Sequence, residues 1–501
     1  MGKTIKINID AFNNIRADDV LKSIDSVSCR LGGKVYLVGG VLRDLFIKKE
    51  IVNKIDWDFS VSSGALALGQ ALAKQLNAAF IVLDDVNKIA RVVYTKSKKR
   101  YTLDFAEFRA RTLKGDLRRR DFTLNTLSAD VRALIEGAKP ASCLIDYFGG
   151  VRDIKNKCVR ITRKENFKDD ALRILRGFSF CAQFGFNFDK ATAGLIKKNS
   201  CSLKAVSAER ISEELVKIFS INCSGKYITQ MDKQGIIKAV LPETNVLRGA
   251  EQGLFHHLDV WEHSLETLIQ LEKLLKSIEK KIPRKYFRKL NEYLNQPLAY
   301  ERSRLWVLKL SALLHDLGKP ATKVKADDGT IHFYTHERIG ADTAEKIGRR
   351  LKLSLREITV LKNLVRYHLR PGQLVNRMPS QKAKFRFFRD TKEDAVLILL
   401  LTISDRRAMR GPLSRRKSFV FLEEELFKMI AAFFRDKEKR VLPPKLLNGD
   451  DIIKILKVSS GPMIGNILRQ IEEAQAEGSI KNKKDAKGLA LRIYQEVESN
   501  G

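Results

Sequence analysis

Two aspartates set one residue apart, Asp56 and Asp58, are the residues of this chain best spaced for chemistry. They stand in the run Ile55 to Val61 (IDWDFSV), and the period-2 geometry of a strand turns both carboxylates to one face. Hard oxygen ligands so placed suit Mg2+, which typically bridges one or two carboxylates and substrate phosphates. Such a pair can hold metal for in-line displacement at phosphorus. Upstream, Gly39 and Gly40 close the apolar run Val35-Tyr36-Leu37-Val38. Glycines at the end of a buried strand let the backbone approach a phosphate, and the helix expected next offers its first N–H groups to an anion. Arg43 and Asp44 fall in the first turns of that helix. A lone glycine pair or a lone DxD is more often a turn or a solvated strand face. The order glycine pair, helix, DxD gives both their weight.

The elements that must position these groups read as a small α/β arrangement over the first third of the chain. Ala65 to Leu76 is Ala/Leu-rich and predicts a helix; Ala79 to Leu83, Ala90 to Tyr94 and Tyr101 to Phe105 predict strands. Asp104 lies on the last of these, either as a charged strand edge or as a third carboxylate beside Asp56 and Asp58. The segment DLRRRDFTLN (Asp116 to Asn125) crowds three arginines beside an aspartate, against the apolar Phe122, Leu124 and Leu127. Arg119 and Arg120 there suit a triphosphate, Asp121 an arginine or a ribose, and Asn125 a sugar hydroxyl. Further on, DDALRILR sets Asp170 and Arg173 three residues apart on one predicted helix face, with Arg176 a turn later. They can form a helix salt bridge or present acceptor and donor edges to a nucleobase. A second glycine pair, Gly149-Gly150, followed by Asp153, marks a turn leading into a helical stretch.

The net charge of +34 points to a polyanionic partner, nucleic acid before any other, although a basic surface can also serve solubility alone. No run of about eighteen apolar residues is present and MGKTIKINIDAF lacks a signal-peptide core, so no membrane partner is expected and the cytoplasm is the expected compartment. The six cysteines have no CxxC spacing, which argues against zinc fingers and a disulfide framework.

All seven histidines lie between His256 and His368. His263, His315 with Asp316, His336, His368 and then Asp405 fall on predicted helices or helix ends. Neutral imidazoles mixed with carboxylates are ligands for Mn2+, Ni2+, Fe2+ or Zn2+. His256, His257 and His332 read as surface or core residues. Lys273 to Arg304 predicts a basic insertion, a solvated face by default with an RNA contact as the alternative. Arg406, Arg407, Arg410, Arg415, Arg416 and Lys417 form a basic cluster suited to an RNA backbone. Pro443-Pro444 predicts a break before a small helical tail, in which Asp450 or Asp451 caps a helix and Gly461-Pro462 opens another.

Taken in order, GGVLRD, DWDFS, DLRRRDFTLN, DYFGGVRD, DDALRILRGFSFCAQFGF and AERISEELVKIF resemble the class II branch of the tRNA nucleotidyltransferase and poly(A) polymerase family. The histidine order around LLHDLGK resembles the HD metal-dependent phosphohydrolase domain. The resemblance implies an α+β fold class: a small polymerase-beta-like nucleotidyltransferase head followed by a long all-α neck, body, HD domain and tail. The expected divisions are an extension over 1–27, a head over 28–160, a neck over 161–225, a body with the HD domain over 226–430 and a tail over 431–501. It implies template-independent addition of CMP and AMP, from CTP and ATP, to a tRNA 3′ end. Asp56 and Asp58 would bind Mg2+, and Gly39, Gly40 and Arg43 would hold the triphosphate. Arg119, Arg120, Asp121 and Asn125 would contact phosphate and ribose, while Asp170 and Arg173, supported by Arg176, would select the base. His263, His315, Asp316 and Asp405 would hold a divalent metal such as Mn2+ or Ni2+, with His336 and His368 completing a second position or contacting phosphate. Asp169-Asp170 stands where the family usually has Glu-Asp. A-adding, CC-adding and poly(A)-adding activities share these motifs, and a chain acting mainly as a phosphohydrolase is the alternative of another class.

Overall fold

The computed structural model describes residues 7–47, 54–97, 99–137, 139–376, 380–412, 416–436 and 444–499. Arg415 and Pro443, singled out above, lie outside these residues, as do the side chains of Arg416 and Lys417. The chain divides into two compact units, Met1–Arg210 with Lys233–Ala239, and Ile211–Asp232 with Val240–Gly501. Among the described residues no helix is long and apolar enough to cross a membrane.

The first unit opens with α1 (Ile9–Arg16) and α2 (Asp19–Leu31), then builds a seven-stranded sheet. Its strands are β1 (Val35–Val38), β2 (Lys54–Val61), β3 (Ala79–Asp84), β4 (Ile89–Lys96), β5 (Lys99–Glu107), β6 (Ser128–Asp130) and β7 (Leu144–Ile145), in the order β3-β4-β5-β2-β1-β6-β7. Helix α3 (Gly40–Ile47) follows β1, and α4 (Ala65–Leu76) follows β2. β2 and β5 are parallel and every other neighbouring pair is antiparallel. The parallel pair needs a crossover, which α4 and the β3–β4 hairpin supply. Alternation sorts the two faces. Ala90, Val92, Leu103 and Phe105 are fully buried on one, under α4, where a Cβ on Gly69 would stand 3.1 Å from both the Ala90 methyl and the Phe80 ring. Arg91, Asp104, Asp56 and Asp58 point from the other.

The stretch after the sheet departs from the expected continuous helix. A short helical turn, Asn166–Asp169, ends at Asp170, whose backbone is extended (φ −153°, ψ 105°), and α5 runs over Arg173–Phe184. Asp170 and Arg173 therefore do not share a helix face. The Asp170 carboxylate accepts from the Leu172 N–H at 3.1 Å, and this local bond competes with helix continuation.

The second unit is mainly helical, with two short two-stranded ribbons. Helices α6 (Val260–Ser277), α7 (Arg304–Leu314), α8 (His336–Arg350), α9 (Leu355–Tyr367), α10 (Gln381–Thr391) and α11 (Ala395–Ala408) surround a core in which α11 is buried on all sides from Ala395 to Asp405. The basic insertion is not simply a solvated face. Its helix Arg284–Asn295 buries Leu290, Tyr293 and Leu294, and the Arg304 guanidinium lies over the Tyr293 ring. The tail forms α12 (Gly449–Leu456), α13 (Pro462–Glu477) and α14 (Lys483–Ser499) around Ile452, Ile467, Ile471 and Ala490. Asn448 and Asp451 make a reciprocal cap at the start of α12, and Pro462 stands at the first turn of α13.

The tail is latched to α10 by one buried carboxylate. Glu473 accepts from Arg386 Nε at 2.6 Å and Nη2 at 2.7 Å, and from Arg389 at 3.3 Å, with Lys382 3.1 Å away. Arg386 before all else draws the Glu473 carboxyl down to about 2. A depressed folded value means that the latch is at full strength above the ordinary glutamate value of about 4.5 and is lost as pH falls from there toward about 2. Glu473→Gln is expected to speed amide exchange in α13 at neutral pH by roughly tenfold, as the loss of charged hydrogen bonds predicts, and to leave β1 to β5 unchanged. Exchange measured by mass spectrometry checks this.

Candidate functional site

In the first unit, the register of β2 and β5 places Asp58 beside Asp104, with Asp56 one pair further along the same face. Asp56 and Asp58 are exposed and Asp104 is half-buried. The surrounding protein pushes the Asp58 carboxyl up by desolvation, with Asp104 and Asp56 adding to the shift and Arg120 and Arg176 opposing it. Crowded carboxylates are a donor set for a divalent cation. Gly39 completes the concavity. Its φ of +79° is one that glycine adopts freely, and a Cβ there would lie 3.5 Å from Arg120 Nη1 and 3.7 Å from Asp58 Oδ2.

Arg120 is held from two sides. Its Nη2 donates to Ser60 Oγ at 3.0 Å, Ser60 Oγ donates to the buried Asp116 at 3.0 Å, and the Asn166 side chain donates to the Arg120 carbonyl at 2.6 Å. Arg119 is exposed beside it, at the end of the short helix Leu113–Arg118. Sequence reasoning assigned nothing to Ser60, Asp116 or Asn166, although the first two stand inside the quoted motifs.

A second group lies behind Gly39 and Gly40. Arg43 is buried rather than open to solvent. Its Nε donates to Asp44 at 2.8 Å and its Nη1 to Asn125 Oδ1 at 2.8 Å, and its guanidinium stacks over the Phe184 and Phe180 rings, 4.8 and 5.3 Å away. Asn125 donates to Asp121 Oδ1 at 2.9 Å, and Asp121 Oδ2 accepts from Arg176 Nε at 2.9 Å and lies 2.8 Å from its Nη2. Burial works against the Asp121 charge, but Arg176, Asn125 and the Phe122 amide overcome it and hold the carboxyl below the usual aspartate range. One hydrogen-bonded line thus runs Asp44–Arg43–Asn125–Asp121–Arg176, joining α3 to α5. At the start of α5, Arg173 Nη1 donates to the Asn166 carbonyl at 3.3 Å and Asp170 pairs with Arg210 at 2.8 Å. Asp169 pairs with Arg163.

In the second unit, helix ends bring His263, His315, Asp316, His336, His368 and Asp405 into one buried cluster. His315 and His368 end α7 and α9, His336 begins α8, and His263 and Asp405 lie within α6 and α11. Asp316 is the hub. Its oxygens lie 3.1 Å from His315 Nε2, 3.5 Å from His336 Nε2, 3.7 Å from His368 Nε2 and 3.8 Å from His263 Nε2. Backbone carbonyls of Ala312, Phe333 and Val365 take the Nδ1–H of His315, His336 and His368, at 3.0, 2.8 and 2.7 Å, which aims each Nε2 inward. These three Nε2 atoms are buried without a hydrogen-bond partner among the described residues.

Burial drives His368 down to about 3 and lowers His263 as well, keeping them neutral and able to donate lone pairs. For His315 burial is outweighed by Asp316 and Asp405, which push it up to about 10. Two ligand sets share His315: His263, His315 and Asp405, and His315, Asp316 and His368, each with ligand atoms within 4.8 Å of one another. The donor set fits a divalent metal. Two residues that the sequence left unassigned support it. Lys319 Nζ sits 2.7 Å from Asp316 Oδ2, and a Cβ on Gly318 would stand 2.1 Å from the His336 carbonyl, so only glycine lets these two segments meet. His256 packs edge-on against His263, 4.6 Å between ring centroids. The basic cluster after Asp405 is partly spent: Arg407 chelates Glu423, and Arg410 lies 3.7 Å from Glu266.

The sequence matches a poly(A) polymerase head domain model over 35–160, a model of the RNA and SrmB-binding site of polymerase A over 185–247, an HD domain model over 260–409 and a tRNA nucleotidyltransferase domain 2 model over 444–487. It is 30% identical to an A-adding tRNA nucleotidyltransferase of Deinococcus radiodurans, covering 92% of this chain and 96% of that protein. It is 27% identical to a CC-adding tRNA nucleotidyltransferase of Thermus thermophilus, over 93% and 95%. In fold it is similar to the Thermotoga maritima CCA-adding enzyme solved with tRNA, with a TM-score of 0.63 at 20% identity over 98% of this chain and 99% of that one.

Proposed function

Because the chain belongs to the tRNA nucleotidyltransferase family, we propose that it adds CMP and AMP, from CTP and ATP, to the 3′ end of tRNA in the cytoplasm. The observation that carries this reading is the carboxylate group on β2 and β5, facing the backbone of Gly39 and the fixed guanidinium of Arg120. Asp56 and Asp58 would hold Mg2+, with Asp104 as the third carboxylate of the group. Mg2+ held by these aspartates would neutralise charge on the phosphate oxygens and lower the pKa of the RNA 3′-hydroxyl. Gly39, Gly40, Arg119 and Arg120 take the triphosphate. Arg43, being buried, acts by fixing Asn125 and Asp44 around the start of α3. Asp170 and Arg173 present an acceptor and a donor to the base edge, and Asp121 locks Arg176 behind them.

The second unit would bind a transition metal such as Mn2+ or Ni2+ through its histidine–aspartate cluster and hydrolyse phosphoesters at RNA ends. Neutral His263 and His368 donate lone pairs, while Lys319 and the buried hub Asp316 balance charge.

A second reading, addition of A alone or of CC alone, draws on the two relatives matched over nearly their whole length, one an A-adding and the other a CC-adding enzyme. Incorporation of labelled CTP and ATP on tRNA transcripts ending before the first C, after CC and after CCA separates these readings. Stepwise C, C and A followed by arrest supports CCA addition. Acceptance only of A on the CC-ended transcript means an A-adding enzyme, and arrest after CC a CC-adding one. No incorporation on any transcript overturns the transferase reading.

A further inference from the structure

Between the carboxylates and the free edge of the sheet lies a row of side chains to which the reading above gives no RNA contact. In register it runs Ile81 on β3, Arg91 on β4, Asp104 on β5 and Asp58 on β2. All four lie on the face opposite α4. Arg91 grips Asp104 through two parallel bonds, Nε to Oδ1 at 2.7 Å and Nη2 to Oδ2 at 2.8 Å. The pair uses two of the five guanidinium N–H groups, and the Arg91 side chain remains 37% exposed. Both Asp104 oxygens already face a cation, so Asp56 and Asp58 carry the metal-holding role and Asp104 is the anchor that aims Arg91. At the outer end, Ile81 on the edge strand is 45% exposed.

The direction of the reaction says what should lie on this row. On the β1 side the carboxylates are bordered by Gly39 and Arg120, which serve the triphosphate. In-line displacement sets the attacking oxygen and the leaving pyrophosphate on opposite sides of phosphorus. The acceptor strand must then approach across β5, β4 and β3. The surface it meets there is one aimed guanidinium followed by an apolar ledge, the combination that suits a phosphate and the face of a nucleotide.

We propose that Arg91 is an acceptor-strand contact: its N–H groups not spent on Asp104 bind the phosphodiester beside the 3′-terminal nucleotide of the RNA, Ile81 supports that nucleotide, and Asp104 is the positioning residue that holds the guanidinium. The proposal rests on the transferase reading and adds to it the path of the RNA over the sheet.

The test compares wild type with Arg91→Gln, Arg91→Lys and Asp104→Asn, each checked for unchanged thermal melting. The affinity of a tRNA transcript lacking its CCA end is measured in EDTA without nucleotide over a series of salt concentrations, and KM for transcript and for CTP is measured with Mg2+. Arg91→Gln is expected to weaken transcript binding about tenfold and to reduce the log–log salt slope by about 0.7, the value for one phosphate on a single strand. KM for the transcript should rise while KM for CTP stays within about twofold. Arg91→Lys should restore the salt slope without the full affinity, since a point charge replaces the fork. The inference is overturned if a folded Arg91→Gln binds the transcript with wild-type affinity and slope and loses only the turnover that Asp104→Asn also loses, for then Arg91 serves Asp104 alone. Wild-type protein that adds no nucleotide sinks the transferase reading itself; an active wild type with an indifferent Arg91→Gln sinks only this inference.

Discussion

Asp58→Ala should lower nucleotide incorporation at least about 10^3-fold, a loss of about 4 kcal/mol of transition-state stabilisation, while tRNA affinity stays within about twofold. Asp58 stands where β2 meets β5, beside Asp104 and 3.7 Å from where a Cβ on Gly39 would lie, so its carboxylate borders both the side proposed for the triphosphate and the side proposed for the acceptor. It lies on the face of the sheet opposite the packed core of Trp57 and Phe59, so its removal opens no core cavity. Single-turnover incorporation of labelled CTP, read beside filter binding of the same transcript, is the measurement. A loss of binding as large as the loss of rate would mean that Asp58 supports the RNA site rather than the chemistry.

Asp316→Ala is expected to have the second-largest effect, confined to the other unit. It should empty the histidine–aspartate cluster of transition metal, as read by elemental analysis of the purified protein, and abolish phosphoester hydrolysis. CTP incorporation by the first unit should stay within about twofold. The metal-free variant should also be less stable, because buried Lys319 loses its counter-charge and His315 is left with Asp405 alone. Removing one partner of a buried ion pair costs on the order of 3–5 kcal/mol. Asp316→Asn keeps the shape and separates the two effects: metal lost with most of the melting temperature retained.

The parts legible in the sequence were those written in local periodicity. Strands β1 to β5 fall within two residues of the expected runs while the short β6 and β7 were not foreseen, and the one-residue spacing of Asp56 and Asp58 fixes their common face without knowledge of any partner strand. The clustering of the histidines and aspartates from His263 to Asp405 was legible for a similar reason: each is marked by residue type, and helix ends bring the types together. What the sequence hid depends on distant partners or on side chain–backbone competition. Arg43 looks like a phosphate contact until Phe180 and Phe184, far along the chain, cover it. Asp170 looks helical with Arg173 until its carboxylate captures the Leu172 amide and breaks the turn. Gly318 looks like one more residue after HDLG begins. Only the approach of the His336 carbonyl shows why a side chain is forbidden there.

The line Asp44–Arg43–Asn125–Asp121–Arg176 has a thermodynamic consequence. Every member but the outer two is buried, and the inner hydrogen bonds are 2.8–2.9 Å long, so the start of α3 and the first turn of α5 behave as one stiff body. A ligand bound at one end would be felt at the other. If binding a phosphate at α3 changes the affinity for a base at α5 by some factor, binding the base must change the phosphate's affinity by the same factor. Asn125→Ala cuts the line at its middle, and under the proposed roles discrimination between bases and grip on the triphosphate should then become independent quantities.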